Sequence, residues 1–364
     1  LHRVDRRQRQ MCIRDRFIHV DMDSYFVAVE LLDAPWLRER PVAVGGKATD
    51  RGVISTSNYI ARRYGVRSGM ATATAERLCP GLVLLPVRFE RYEAVTRRLD
   101  VIFRRYTSNV EFLSLDEATL DVTGQVYCNG SATYMANRIR ASIEQKLHLT
   151  ASAGVAPLKY LAKMASEVNK PNGQFVIAPH QVQAFLKNLD IRKIPGVGPK
   201  TWAVLQALGC TKCADVTDEM IPALLRHLGA HGFYVWERCR GQESYEGKPG
   251  AVQSLGVEHT LPSDCNDFAC CLRELDELLG TLAKRLEVLG SAPPIVRNQV
   301  KLKFSDFSIA TAEAPALALQ PQVVRGLCRM LWDNKRQGRA VRLVGVAVRI
   351  RRHMLDPLQL ELGL

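Results

Sequence analysis

The sequence predicts an α+β protein of several domains, and three observations support this. Its 364 residues exceed the usual size of one domain, and 47% of them are hydrophobic against 24% charged, as in globular proteins. Strand-like and helix-like segments alternate through the first half of the chain. A polar stretch with glycine and proline at 241–254 then precedes a last segment that has its own strands and helices.

The first half of the chain has the element order βαββαβ. Strand patterns occur at 17–23, 40–46, 110–122 and 150–156. Apolar side chains recur three and four positions apart at 92–106 and 131–147, which indicates helices. The segment 110–122 is long enough to form a hairpin, so this order predicts a ferredoxin-like sheet.

The remainder of the chain divides into three parts. An insertion rich in Arg, Thr and Ala follows the first strand, and short helices follow residue 173 as far as Gly241. From about Leu255, two long helical patterns combine with strands at VRNQVKLKF and VRLVGVAVRI. This last part predicts a second, smaller α+β domain.

The formal net charge of +13 favours a polyanionic partner, with ordinary basic solubility as the alternative. Residues 1–16 supply six arginines and two aspartates without apolar periodicity, so we interpret them as a disordered or non-native lead. No apolar run reaches the roughly 18 residues of a membrane span, and the N-terminus has no signal-peptide core. We therefore expect a cytoplasmic protein without a membrane partner.

Acidic residues in the first strand suggest a metal site. In FIHVDMD the alternation places His19, Asp21 and Asp23 on one face, which we expect to be exposed. Neighbouring carboxylates repel each other unless a cation or solvent compensates them, so Asp21 is a candidate metal ligand. A strand end that runs into water is the alternative.

A second acidic pair lies in the predicted hairpin. Asp116 and Glu117 are adjacent in SLDEA, and they converge on one face only at a hairpin tip or a bulge. If the two inner strands are neighbours, Asp21, Asp116 and Glu117 form a cluster able to hold two Mg²⁺ ions about 3.5 to 4 Å apart. That arrangement suits nucleotidyl transfer.

One segment of the insertion combines side chains that bind phosphate oxygens. Thr56, Tyr59 and Arg62 recur every three residues and so are expected on one face of a short helix, capped by Ser55 or Ser57. A hydroxyl, a phenol and a guanidinium together suit a polyphosphate. A solvated helix face is the alternative.

Two turns offer further contacts with phosphate groups. In NKPNG, Pro171 favours an extended Lys170 that can present its charge to a triphosphate, although an ordinary turn lysine would look the same. In IPGVGPK, Gly196 and Gly198 precede a helix, which is typical of the helix-hairpin-helix that binds DNA backbone, and Lys200 follows them. A plain turn between helices is the alternative.

The last domain presents basic strand faces. Lys301 and Lys303 alternate with apolar residues, as do Arg349 and Arg351, and Arg342 lies near the start of the strand segment VRLVGVAVRI. Such faces fit the phosphate backbone of DNA, and solvated strand faces are the alternative. The chain ends with QLELGL, whose Gln359, Leu360, Leu362 and Leu364 suggest a docking peptide or a frayed helix.

In combination, these motifs resemble the Y-family of DNA polymerases, and most closely its DinB-type translesion branch. The resemblance extends from about Phe17 to Leu364, and its motifs occur in the family's order. They are VDMDSYF, RGVISTSNYIARRYGVRSGM, SLDEATLDV, TASAGVAPLKYLAKMASEVNKPNG, IPGVG and SLGVEHT.

The resemblance implies a right-hand polymerase with palm, fingers, thumb and an added little-finger domain. The implied boundaries are a palm at 17–23 and 87–178, fingers at 24–86, a thumb with a helix-hairpin-helix at 179–243, a linker at 244–254, an α+β little finger at 255–352 and a tail at 353–364. The implied activity is error-prone, template-directed addition of deoxynucleotides opposite damaged bases, without a proofreading exonuclease.

The resemblance also implies roles for individual residues. Asp21, Asp116 and Glu117 would bind two Mg²⁺ ions with help from the Met22 carbonyl, and Phe26 would be a steric gate against ribonucleotides. Four side chains would hold the incoming dNTP: Thr56, Tyr59, Arg62 and Lys170. The residues expected to bind primer-template DNA are Gly196, Gly198, Lys200, Lys301, Lys303, Arg342, Arg349 and Arg351.

The tail residues Gln359, Leu360, Leu362 and Leu364 are similar to the family's peptide for the sliding clamp, although the final aromatic of the general clamp motif is absent. We expect a monomer.

The alternative function is a DNA- and clamp-binding scaffold without catalysis, and a relative restricted to one nucleotide is a third possibility. The complete set of carboxylates and phosphate-binding residues favours an active polymerase.

Overall fold

The computed structural model describes residues 17–244, 254–288 and 294–350. The chain forms two compact units. The first comprises Leu1–Val44, Ser55–Val66 and Gly81–Glu246, and the second comprises Gly45–Ile54, Arg67–Pro80 and Gly247–Leu364. The predicted fingers segment, 24–86, contributes to both units. The predicted lead, most of the linker and the tail lie outside the described residues.

Helices and strands alternate through the described part of the chain. Up to residue 176 they are β1 (Phe17–Met22), α1 (Tyr25–Asp33), β2 (Val42–Gly45), β3 (Ile54–Ser57), α2 (Tyr59–Arg63), α3 (Thr72–Leu78), β4 (Val83–Leu85), α4 (Phe89–Phe103), β5 (Val110–Phe112), β6 (Glu117–Asp121), α5 (Ala132–Leu147), β7 (Ala151–Ala156), α6 (Lys159–Ser166) and β8 (Gln174–Val176). Four helices follow: α7 (Val182–Lys187), α8 (Pro199–Ala207), α9 (Ile221–Leu228) and α10 (Ala230–Cys239). The last elements are β9 (Ser254–Cys265), α11 (Phe268–Val288), β10 (Ile295–Phe304), β11 (Ile309–Pro315), α12 (Pro321–Lys335) and β12 (Val341–Ile350).

A five-stranded sheet with the order β5-β6-β1-β7-β8 forms the centre of the first unit. Neighbouring strands are antiparallel except for β7 and β8, which are parallel. The elements β1, α4, β5, β6, α5 and β7 follow one another in the predicted βαββαβ order, so the ferredoxin-like prediction is confirmed. A smaller sheet has the order β3-β2-β4.

Both faces of β1 are buried, which corrects one expectation. Ile18, Val20 and Met22 pack into the core that the helices α4 and α5 cover. The opposite face carries His19 and Asp21, which we expected to be exposed, yet their exposed fractions are 0% and 6%. Helix α6 packs against β1 and β7, so the polar face lies inside the unit.

The helices α7 to α10 form a separate core in the first unit. Leu205 of α8, Leu224 of α9 and Val235 of α10 are fully buried within it. The isolated C-x-x-C pair, Cys210 and Cys213, is buried in the same core, and both thiols are free. The short helices that the sequence predicted between residue 173 and Gly241 are confirmed.

The second unit contains a four-stranded antiparallel sheet with the order β11-β10-β12-β9. Helices α11 and α12 cover one face of this sheet, and Leu282, Val324 and Val346 are among the side chains buried between them. The two long helices and the strands β10 and β12 confirm the predicted α+β domain. Strands β9 and β11 were not predicted, because their apolar residues are small or are separated by polar ones.

No helix within the described ranges is long and apolar enough to cross a membrane.

The packing of β7 against α6 depends on Gly154. A Cβ atom at this position would lie 1.9 Å from the Ala162 carbonyl oxygen and 2.4 Å from the Ser166 amide nitrogen, and both are backbone atoms of α6. We expect Gly154→Ala to lower the free energy of unfolding of the first unit by about 1 to 3 kcal/mol, because α6 must move away from the sheet. Urea unfolding measures this change.

Gly81→Ala is the matched control, since a Cβ at Gly81 would meet no atom within 4 Å. Its effect should stay within about 0.5 kcal/mol. Equal stability of the two variants would show that α6 does not constrain Gly154.

Candidate active site

The register of three strands brings acidic side chains together. Asp21 of β1 lies opposite Glu117 of β6 on one side and opposite Ser152 of β7 on the other. Side chains at paired positions project from the same face of a sheet. The Asp21 and Glu117 carboxylates therefore lie side by side, as the sequence predicted for neighbouring inner strands.

A group of three metal-binding side chains results from this register. His19, Asp21 and Glu117 each offer a ligand atom, and these atoms lie within 4.8 Å of one another. His19 was not predicted as part of the site. Its Nδ1 lies 2.9 Å from Thr119 Oγ1 and its Nε2 lies 3.3 Å from Glu117 Oε2, so the imidazole packs directly behind the Glu117 carboxylate.

Asp116 occupies the hairpin turn between β5 and β6. Its carbonyl oxygen accepts a hydrogen bond of 3.0 Å from the Met22 amide, which joins the turn to the end of β1. The Ser114 hydroxyl donates a 2.6 Å hydrogen bond to Asp116 Oδ1. The turn thus lies beside β1 as expected, but the carboxylate of Asp116 is not one of the three ligand groups that lie within 4.8 Å of one another.

Two lysines neutralise the buried acids. Lys170 Nζ lies 2.6 Å from Asp21 Oδ2 and 2.8 Å from Glu167 Oε1, and Lys163 of α6 forms an ion pair with Glu117. The NKPNG turn predicted Lys170 as a ligand of the triphosphate and did not predict its ion pairs with Asp21 and Glu167. Lys163 was missed, since a single lysine within YLAKMA looks like the solvated edge of an apolar helix.

The two carboxylates have opposite electrostatic environments. Burial raises the pKa of Asp21 to about 7, although Lys170 opposes this shift. Hydrogen bonding to His19, assisted by Lys163, lowers the pKa of Glu117 to about 2. Burial also lowers the pKa of His19, which favours the neutral imidazole. At neutral pH Glu117 is ionised, while Asp21 is close to its titration midpoint.

Asp23 connects four segments around the site. The Ser152 hydroxyl and the Asn172 amide each donate a 2.8 Å hydrogen bond to its carboxylate, and the Tyr59 hydroxyl donates a longer one of 3.4 Å. The Lys170–Pro171 peptide bond is cis, and Asn172 has a φ of +49°. Asp23 therefore holds the turn that carries Lys170 and the helix that carries Tyr59.

The predicted phosphate-binding residues are close in sequence but lie on two different elements. Thr56 belongs to strand β3, whereas Tyr59 and Arg62 belong to helix α2, so the three do not share one helix face. The Arg62 guanidinium lies 4.7 Å from the centre of the Tyr59 ring, and Arg62 Nε donates a 3.0 Å hydrogen bond to the Ser57 carbonyl. Burial raises the pKa of Tyr59.

The N-cap of α2 is Asn58, whose side chain accepts a 2.9 Å hydrogen bond from the Ala61 amide. The predicted caps, Ser55 and Ser57, are wrong because both serines lie in β3. Ser57 instead donates its hydroxyl to the Val66 carbonyl at 3.2 Å. Because β3 continues to Ser57, Asn58 is the first residue after the strand and therefore caps α2.

Phe26 lies on helix α1 in an aromatic cluster. Its ring stacks on Tyr92 with centroids 4.1 Å apart and an angle of 10° between the planes, and Phe89 contacts it edge-on. The neighbouring Tyr25 is buried, and its hydroxyl donates a 2.8 Å hydrogen bond to the Tyr92 carbonyl. These contacts fix the half-buried Phe26 ring. The role of Phe26 as a steric gate stays a prediction.

The glycine turn before α8 has the expected conformation. Gly196 has a φ of +91°, Gly198 is the N-cap of α8, and Lys200 in its first turn is exposed. Tyr234 of α10 donates its hydroxyl to the Pro195 carbonyl at 3.1 Å and so anchors the turn. The turn leaves the start of α8 open for an anionic group.

The basic residues of the second unit differ in their pairing. Lys301 Nζ lies 2.7 Å from Glu258, and Arg349 Nε lies 3.8 Å from Glu313. Lys303 and Arg342 instead lie over the ring of Phe307, at 4.9 Å and 4.8 Å from its centre. Arg351 and the four predicted clamp-binding residues Gln359, Leu360, Leu362 and Leu364 lie outside the described residues.

Comparison with protein families gives three matches in chain order. The impB/mucB/samB family matches residues 20–167, the helix-hairpin-helix motif of the same family matches 180–209, and its C-terminal domain matches 252–353. Together they include Asp21 and Glu117, the glycine turn and the sheet of the second unit.

Two curated relatives are similar over nearly the whole chain. DNA polymerase IV of Pectobacterium atrosepticum is 49% identical over 343 residues, which are 94% of this chain and 96% of the relative. DNA polymerase IV of Cronobacter sakazakii is 48% identical over 353 residues, with 96% and 99% coverage.

Solved structures show the same architecture. The Y-family DNA polymerase chimera Dbh-Dpo4(243-245)-Dbh matches with a TM-score of 0.82 and 29% identity over 93% of this chain and 99% of its own. The insertion ternary complex of Dbh DNA polymerase matches with a TM-score of 0.64 and 29% identity over 92% and 98%. On this evidence the chain belongs to the impB/mucB/samB family and is a Y-family DNA polymerase with palm, fingers, thumb and little finger.

Proposed function

We propose that this chain performs error-prone, template-directed DNA synthesis across damaged bases with Asp21, Asp116 and Glu117 as its catalytic carboxylates. The observation that carries the proposal is the juxtaposition of the buried Asp21 and the partly buried Glu117 on adjacent central strands of a Y-family palm. Acids that are withdrawn from water in this way lower the stability of the fold, which is expected where they bind a cation.

The donor set fits divalent metal ions. Asp21 and Glu117 offer carboxylate oxygens, which hard cations such as Mg²⁺ prefer. We propose that these two residues, Asp116 and the Met22 carbonyl hold two Mg²⁺ ions. When bound, such ions lower the pKa of an attacking hydroxyl and neutralise charge on a departing pyrophosphate.

Other side chains position the reactants. Thr56, Tyr59, Arg62 and Lys170 would bind the dNTP, whose negative charges suit a guanidinium and an ammonium. His19 and Lys163 hold the Glu117 carboxylate in its orientation through the contacts described above. We propose that the Phe26 ring excludes the 2′-hydroxyl of a ribonucleotide.

Primer-template DNA is the proposed macromolecular substrate. The open start of α8, with Gly196, Gly198 and Lys200, and the basic strands β10 and β12 would contact its backbone. The tail at 353–364 would bind the sliding clamp. A scaffold that binds DNA without catalysis is the alternative, and the variants below distinguish the two functions.

Removal of a catalytic carboxylate should abolish synthesis without abolishing DNA binding. We expect Asp116→Ala and Glu117→Gln each to reduce single-nucleotide primer extension with Mg²⁺ by more than about 100-fold. Loss of a residue that only supports a metal ligand typically reduces activity by at most about 100-fold, so a larger loss indicates a ligand itself. Glu111→Gln is the matched control, because Glu111 lies in the same hairpin and pairs with Lys159. If the wild type binds primer-template DNA but extends nothing, the chain is a scaffold.

Replacement of Phe26 should relax sugar selection. We expect Phe26→Ala to incorporate ribonucleotides at least about tenfold more efficiently relative to deoxynucleotides, because the space of the ring becomes available to a 2′-hydroxyl. Competition between rNTP and dNTP measures the ratio, with Phe26→Tyr as the control that retains a ring. An unchanged ratio in Phe26→Ala would leave Phe26 as a packing residue only.

Metal binding should strengthen as the pH rises. Because the pKa of Asp21 is about 7, a proton competes with the cation below that pH. We expect the affinity for Mn²⁺, measured by calorimetry, to increase from about pH 6 to about pH 8 and then to level off, since most of the titration falls within about one unit of the pKa. Asp21→Asn should bind more weakly and lose this pH dependence. The same slope in both proteins would contradict the assignment of the titrating group to Asp21.

A further inference from the structure

The tip of the β10–β11 hairpin carries an exposed aromatic ring on a rigid turn. The Phe307 amide donates a 2.9 Å hydrogen bond to the Phe304 carbonyl, and the Phe304 amide donates one of 2.9 Å to the Ser308 carbonyl. Asp306 accepts hydrogen bonds from the Ser308 amide at 2.9 Å and from Arg339 at 3.1 Å. These bonds hold the turn in place, while Phe307 is 59% exposed.

The backbone at Phe307 is in a conformation that favours glycine. Its φ is +65°. A side chain in this left-handed region is strained, and short hairpin loops usually place glycine at such a position. An apolar ring that is both exposed and on a left-handed residue contributes little to folding. This combination is typical of a residue that binds something else.

Two cations approach this ring from neighbouring strands. Lys303 Nζ and Arg342 Cζ lie 4.9 Å and 4.8 Å from its centre. Arg342 lies where the pairing of β12 with β9 shifts register between Val341 and Leu343. Such irregularities redirect side chains.

Lys303 and Arg342 are available to an anionic ligand. Lys301 and Arg349 pair with acids, whereas Lys303 and Arg342 have no carboxylate partner in the described part of the second unit. Asp306, the acid of the turn, is already engaged by Ser308 and Arg339.

We infer that Phe307, Lys303 and Arg342 form a binding site for an unpaired nucleotide of the bound DNA. The ring stacks on the base, and the two cations bind the adjoining phosphates. A duplex offers phosphates but keeps its base faces stacked, so only an unpaired nucleotide satisfies all three side chains. An acidic peptide would satisfy the cations without using the ring. The inference rests on the proposed function, because it takes DNA as the ligand.

Affinity measurements on the full chain test this site. Fluorescence anisotropy compares a primer-template that has a single-stranded overhang with a blunt duplex of equal length. We expect Phe307→Leu and Phe307→Gly to weaken binding to the overhang substrate by about tenfold, within the range measured for loss of one stacked base, and to leave blunt-duplex binding unchanged. Phe307→Tyr retains the stacking face and should bind as the wild type does. Unchanged overhang binding, or an equal loss on both substrates, would overturn the inference.

Photocrosslinking gives an independent readout. An overhang that carries 5-iododeoxyuridine should crosslink to the peptide containing Phe307 in the wild type and not in Phe307→Leu. Crosslinking only to other peptides would overturn the inference. Phe307→Gly also relieves the left-handed strain, so its thermal midpoint should equal or exceed that of the wild type, which separates weaker binding from unfolding.

Primer extension by the wild type distinguishes this inference from the proposed function. If the wild type extends primers and Phe307 does not crosslink, only the nucleotide site is wrong. If the wild type extends nothing and Phe307 still crosslinks, the site stands and the catalytic proposal fails.

Discussion

The antiparallel pairing of β1 with β6 and β7 is the constraint on which the candidate active site depends. It places Asp21 between Glu117 and Ser152, and it places His19 opposite Thr119. A shift of one residue would turn each of these side chains to the other face of the sheet. The apolar residues Ile18 and Val20 oppose such a shift, because it would turn them towards the polar groups beneath α6 and bury the acids against α4 and α5.

Burial of charged groups is the cost of this arrangement, and nearby cations offset it. Desolvation raises the pKa of Asp21, while Lys170 stabilises its ionised form. Glu117 has two partners, His19 and Lys163, and remains ionised. Buried acids that are paired in this way avoid the large penalty of an isolated charge. The carboxylates of Asp21 and Glu117 stay close enough to bind a cation. Because Lys163 lies on α6, the packing of this helix is connected with the chemistry of the site.

In the second unit, the two faces of the four-stranded sheet carry different kinds of residue. Its core face packs on α11 and α12, while the other face carries the basic side chains. Acids on the same sheet neutralise part of that charge, as Glu258 does for Lys301 and Glu313 for Arg349. Lys303 and Arg342, which have no carboxylate partner among the described residues of this unit, lie over the Phe307 ring, so charge and an aromatic surface coincide at one end of the sheet.

The sequence by itself determined the element order, because periods of 2 and 3.6 are local properties of the chain. It also predicted Asp21, Asp116, Glu117 and Lys170 as site residues, since acids and cations in apolar segments or fixed turns stand out by residue type. It could not reveal that a helix covers the polar face of β1.

Only the tertiary structure decided which side chains meet. His19 and Lys163 join Glu117 from separate elements, and residue 57 ends a strand instead of capping a helix, so that Asn58 becomes the cap. The physical reason is that strand pairing and helix packing unite residues distant in sequence. Their burial and their pKa values therefore follow from neighbours that no local pattern contains.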